Sequence, residues 1–192
     1  MSILPSSRPK ATREQVIAAA LKEWKQSGTT ASFPDMFALG IRAYFMNSMG
    51  KPGVNDRNCY DDGVFVVGPE VFASFNANVD PSRYQKGVAT LAEGVHWYHP
   101  GNHGLSRPDG GYPAFRPATK DEELPVTRDG IDVPWPGVAI NIHKGGYNTT
   151  SSLGCQTIHP DQWDAFYHLA LMEFKKTGLQ SFPYILTTGP IN

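Results

Sequence analysis

The chain has 192 residues, 17 Lys and Arg against 18 Asp and Glu, and 40% apolar content, enough for one ordinary hydrophobic core without disulfide staples. A formal net charge of −1 with no long basic run gives no electrostatic footprint for nucleic acid. No apolar run approaches the roughly 20 residues that span a bilayer, and Met1 to Lys10 lacks the apolar stretch of a signal peptide, so membrane insertion and ordinary export are not expected.

Thr12-Arg-Glu-Gln15 has the form of a capping box. Val16, Ile17, Ala20, Leu21 and Trp24 recur at helical spacing, and Gly28 supplies a stop, which predicts a helix over 12–27. Residues 33–47 fit either a helix face or a strand. Residues 63–67 and 71–75 predict two strands joined through Gly68-Pro69. The turn before them carries Cys59 among acidic and amide side chains, without the spacing of a calcium loop. Cys59 and Cys155 are the only cysteines, and both are expected to be free thiols.

Residues 88–99 resume the β pattern. Residues 100–120 are dense in Gly and Pro and predict a long loop, placed to cover a substrate. Residues 133–142 and 156–158 predict strands on either side of a polar loop. Pro160 opens a last helix over 160–177, with Trp163, Phe166, Tyr167, Ala170 and Phe174 on its apolar face and Gly178 at its end. Residues 182–188 predict an edge strand, with Pro183 acceptable near its start. No repeat or linker interrupts this order. The expectation is a single mainly β domain over 1–192 with flanking helices, of the α+β class.

The chemistry concentrates in residues 137–158. An apolar run delivers His143, a loop rich in Gly, Asn, Thr and Ser follows, and Ser152-Leu-Gly-Cys155 stands just before the next apolar step. Taken singly, a cysteine beside glycine is more often a small buried hydrophobe than a nucleophile. A thiol attacks carbonyl carbon as thiolate, however, and an imidazole twelve positions upstream is the usual base. Backbone N–H groups around Leu153, Gly154 and Cys155 could form an oxyanion hole.

This segment resembles the catalytic motif of the L,D-transpeptidase (YkuD-type) family, in which a strand-borne His leads through a short loop to Ser-His-Gly-Cys. His143 matches the family's base, Ser152 and Gly154 its flanking residues, and Cys155 its nucleophile. Leu153 stands where the family has a second His, and Thr157 where an Arg or Asn is common. The resemblance implies a β-sandwich-like catalytic domain, with Cys155, His143 and Gly154 catalytic and the base oriented by a backbone carbonyl, that of Lys144 or Gly145. It implies peptidoglycan stem peptide as substrate. Ser152, Lys144, Gly145, Tyr147, His103 and Tyr98 are the candidate substrate-binding residues, with Tyr112 and Arg116 further candidates for recognition.

A second cluster, His96, His99 and His103, has spacings that a zinc site could use, since imidazole is the commonest metal ligand. On one strand His96 and His99 point to opposite faces, and no His-Glu-x-x-His helix accompanies them. A zinc hydrolase is therefore the rival, and no metal or cofactor is expected. The leading expectation is a monomeric cysteine peptidoglycan hydrolase of phage-endolysin type, made in a host cytoplasm and acting in the periplasm or cell wall. A transpeptidase exchanging D-amino acids, a secretion-system effector and a non-catalytic wall-binding domain are the alternatives.

Overall fold

The computed structural model describes residues 11–132 and 135–191. The N-terminal stretch read as lacking an apolar leader lies outside the described residues, as do Val133 and Pro134 at the head of a predicted strand.

Helix α1 spans Arg13–Gln26. Its capping box is complete: Thr12 Oγ1 accepts from Gln15 N at 3.3 Å, and Gln15 Oε1 accepts from Thr12 N at 2.8 Å, so two otherwise orphaned N–H groups are satisfied reciprocally. Among the described residues twelve strands follow: β1 Phe37–Arg42, β2 Asp62–Val67, β3 Phe72–Asn78, β4 Ala89–Leu91, β5 Gly94–His103, β6 Tyr112–Pro117, β7 Glu123–Leu124, β8 Val126–Arg128, β9 Gly137–Val138, β10 Ile142–Lys144, β11 Gln156–Ile158 and β12 Phe182–Thr188. Helix α2, Trp163–Thr177, lies between β11 and β12 and ends on the left-handed Gly178.

Eight strands close into a barrel in the order β1-β12-β5-β6-β10-β11-β3-β2, and β4 with β8 and β7 with β9 form two small outlying ladders. The period of two along each strand divides the apolar residues between two cores. Every barrel strand contributes to an interior cluster, for example Ala38, Val66, Phe75, Tyr98, Phe115, Ile142, Ile158 and Leu186, and the face of α2 carrying Trp163, Phe166, Ala170 and Phe174 packs into it. The alternate residues Phe37, Leu39, Ile41, Phe65, Val67 and Ile185 face outward and are covered by Val16, Ala20 and Trp24 of α1. Burial of both faces explains why β1 and β2 read as continuous apolar runs and not as alternation.

The mainly β, α+β expectation holds, and five local expectations change. The loop predicted over 100–120 is mostly a hairpin, because β5 runs on to His103 and pairs β6 from Tyr98 opposite Pro117 to His103 opposite Tyr112; tertiary pairing overrides the breaker signals of Pro100, Gly101 and Pro113. Residues 88–99 divide between β4 and β5, since β4 leaves the barrel to pair β8. The strand predicted over 133–142 is two short pieces, β9 and β10, interrupted at Ala139 with φ of 54°. The last helix begins at Trp163, with Pro160 in the turn before it. The predicted edge strand β12 is internal, flanked by β1 and β5. Pro183 precedes the first β1 pair, Ala38 with Tyr184, and on the other side it lies opposite Trp97, whose carbonyl accepts from Ala118 N on the β6 side, so no ladder bond needs its missing N–H.

Candidate active site

Strands β10 and β11 are parallel neighbours, with His143 opposite Thr157 and Ile142 opposite Gln156. A parallel pair needs a crossover instead of a tight hairpin, and residues 145–155 supply it without a helix. Residues two apart share a face, so Cys155, two before Thr157, comes level with Asn141, two before His143. Gln156 N accordingly donates to Asn141 O at 2.8 Å, and the Cys155 thiol donates to Ala139 O at 3.8 Å.

Side chains and backbone from distant segments pin the crossover. Tyr60 OH donates to Gly146 O at 2.7 Å, Thr150 N donates to Asn58 Oδ1 at 2.9 Å, and Ser152 N donates to Ser82 Oγ at 2.7 Å. The Ser152 hydroxyl donates to Cys155 O at 2.7 Å and accepts from Gly154 N at 3.1 Å, closing the turn that presents the thiol. Gly154 has φ of +132°, and a Cβ there would meet Ala89 O at 2.9 Å, so glycine is required on both counts.

His143 is buried, 1% exposed. Its Nδ1 lies 2.8 Å from Lys144 O and 3.1 Å from Tyr112 OH. A carbonyl oxygen only accepts, so Nδ1 must carry the proton and Nε2 the lone pair. That Nε2 is buried without a hydrogen-bond partner. One ring nitrogen each of His103 and His143 and the sulfur of Cys155 lie within 4.8 Å of one another, and the two imidazoles stack with centroids 3.9 Å apart. Of the two carbonyls considered, that of Lys144 is the one that orients the His143 ring.

Electrostatics keep both partners neutral at rest. Burial, with His103 beside it, holds the His143 pKa down to about 4, against the opposing bond to Lys144 O. Burial pushes the Cys155 thiol up to about 11, partly offset by the Asn141 N–H and the charge of Arg116. His103 is also lowered, by burial and then by Arg116 and Arg107. The site is a neutral thiol beside a neutral acceptor nitrogen, not a thiolate–imidazolium pair.

Among the candidates named from sequence, the fold brings Cys155, His143, Gly154, Ser152, Lys144 and His103 together. Tyr98 is fully buried in the barrel core, where its hydroxyl donates to Ile140 O at 2.8 Å, so the expected exposure to a bound ligand is not found. Ser152 is buried and its hydroxyl is used within the turn, so it positions the thiol. Gly154 N is taken by Ser152 Oγ, which removes it from the expected oxyanion donors. Tyr147 is exposed and its hydroxyl donates to Asp161, while Arg116 is held by Glu122 and donates to Asn102 O. The His96, His99 and His103 cluster does not assemble: His96 Nε2 bonds Ala92 O at 2.8 Å and His99 Nδ1 lies 2.9 Å from Pro100 O, while His103, at the far end of β5, joins His143 and Cys155.

Asn141 is the participant that sequence reasoning missed. Its Nδ2 lies 3.0 Å from His103 Nδ1 and its Oδ1 has no partner. Its position two residues before His143, on the same strand face, was the available signal.

Two open grooves flank the crossover. One, of about 400 Å³, is lined by Tyr112, Lys144, Gly145, Trp163, Tyr167 and His168 among others. The other, of about 490 Å³, is lined by Asn58, Ser82, Arg83, Ser152 and Leu153 among others. Ser151 borders both. No family model, curated protein or solved structure matches this chain.

Proposed function

We propose that the protein is a cysteine-dependent acyl-transfer enzyme, a divergent relative of the L,D-transpeptidase catalytic domains, that hydrolyses peptidoglycan stem peptides in the manner of a phage lytic enzyme. The observation that carries the reaction type is His143, with its Nε2 buried and unpartnered and its tautomer set by Lys144 O, on a ring that has one nitrogen within 4.8 Å of the Cys155 sulfur. Substrate class and biological setting rest on the resemblance of residues 143–155 to the family motif.

In this reading His143 Nε2 takes the thiol proton as Cys155 Sγ attacks an amide carbonyl carbon. The oxygen gains the negative charge, and the backbone N–H of Cys155 is the donor assigned to it. The tetrahedral intermediate collapses, the C–N bond breaks, and the amine leaves with the proton held on His143. Water then attacks the thioester with His143 as base, regenerating the thiol. Because both groups are neutral at rest, proton transfer accompanies attack instead of preceding it. An amine in place of water would make the same acyl-enzyme a transpeptidase intermediate. Lys144 and Arg83, which line the grooves on either side of the crossover, are available to substrate carboxylates.

Incubation with purified muropeptides, with and without a free D-amino acid, tests the reading by mass. Smaller fragments signify hydrolysis and exchange products signify transfer. Cys155→Ala should abolish turnover and retain binding. Full activity in that variant, or activity abolished by a chelator, would refute the thiol mechanism.

A further inference from the structure

The ring nitrogens of His103 and His143 and the sulfur of Cys155 form the one convergent group of three metal-ligating side chains among the described residues. They come from three segments: the end of β5, the middle of β10 and the residue before β11. Three atoms within 4.8 Å of one another surround a point at most about 2.8 Å from each, so shifts of under about 1 Å, with the stacked rings of His103 and His143 tilting to aim their in-plane lone pairs at one point, give the 2.0–2.3 Å distances of a zinc site. His143 Nε2 is buried and without a hydrogen-bond partner, so its lone pair is not used elsewhere.

We infer that His103, His143 and Cys155 form an inhibitory site for a divalent zinc-class cation. Two imidazoles and one thiolate suit a borderline-soft ion and do not suit magnesium or calcium, which take oxygen ligands. Binding releases one proton, that of the Cys155 thiol, and leaves a fourth position to water. The surrounding groups supply the acceptors that ligating histidines require on their other nitrogen. Lys144 O takes the Nδ1 proton of His143. Asn141 donates through Nδ2 toward His103 Nδ1 and leaves Oδ1 unpartnered; turning that amide over offers Oδ1 to a His103 Nδ1–H and frees His103 Nε2 for the ion. The ligand set stands on geometry alone. Its inhibitory effect rests on the reading of Cys155 as nucleophile and His143 as base, since the ion would occupy both.

Zinc binding is measured by competition with a chromophoric chelator, and cobalt is added separately to read the thiolate-to-metal charge-transfer band. The expected result is one equivalent of zinc bound at micromolar or tighter affinity, a cobalt–thiolate band, and protection of Cys155 from iodoacetamide. Cys59→Ser should leave all three unchanged. Cys155→Ser and His103→Ala should each weaken zinc binding at least tenfold, and Asn141→Ala about 10- to 100-fold, as for other partners of metal-bound histidines. Equal zinc binding by wild type and Cys155→Ser, no binding at 100-fold excess over protein, or turnover stimulated by zinc would overturn the assignment. Turnover of muropeptides by metal-stripped protein is scored separately, so the metal site can fail while the thiol reading stands, and the reverse.

Discussion

At the scale of single residues, the site depends on where two protons sit. Cys155 is held up to about 11 and His143 down to about 4, so the alkylation rate of Cys155 should keep rising with pH to about 11, without a plateau below pH 7. An early plateau would mean a preformed ion pair. The same shifts affect stability. His143 binds fewer protons folded than unfolded between about pH 4 and its ordinary value near 6.5, so its contribution falls as pH drops through that window. Cys155 retains its proton when folded, so its contribution falls as pH rises from about 9 to 11. Urea midpoints of His143→Gln should lose the acid limb relative to wild type, and those of Cys155→Ala the alkaline limb. Gly154→Ala combines a backbone of φ +132° with a Cβ 2.9 Å from Ala89 O; a cost of about 1–3 kcal/mol and loss of turnover are expected, read by denaturation and by the muropeptide assay.

At the scale of elements, the crossover from β10 to β11 is fixed by segments far away in sequence. Tyr60→Phe removes the hydroxyl that donates to Gly146 O and should cost about 1 kcal/mol, with faster amide exchange confined to the crossover. Uniform exchange along the chain would contradict that local role. The pairing of His143 and Cys155 was legible because one segment of alternating pattern, polar loop and short strand carries both. His103 and Tyr112 were named without their partners, since only the β5–β6 register sets them opposite each other and only the β6–β10 pairing brings them to His143. Tyr98 was misplaced for a related reason: position along a strand does not say which face is interior until the sheet closes.

For the molecule as a whole, closure of the barrel is supported by buried polar ties as well as by the two apolar cores. Arg42 of β1 donates to Asp80 at 2.9 Å and to Leu91 O at 2.6 Å, and Asp80 also accepts from Asn55. Asp80→Ala would leave the Arg42 guanidinium buried without its carboxylate, and a loss of about 3–5 kcal/mol is expected in equilibrium unfolding. A loss below 1 kcal/mol would show that water reaches Arg42. The sequence by itself determined the mainly β class, the capped first helix and the His-to-Cys crossover, because periodicity, caps and turn residues act over a few positions. Only the tertiary structure decided that β12 is internal, that the 100–120 segment is a hairpin, and that His103 and Asn141 flank the thiol. Those outcomes depend on pairing between strands distant in sequence, and no local pattern encodes which strand a neighbour will be.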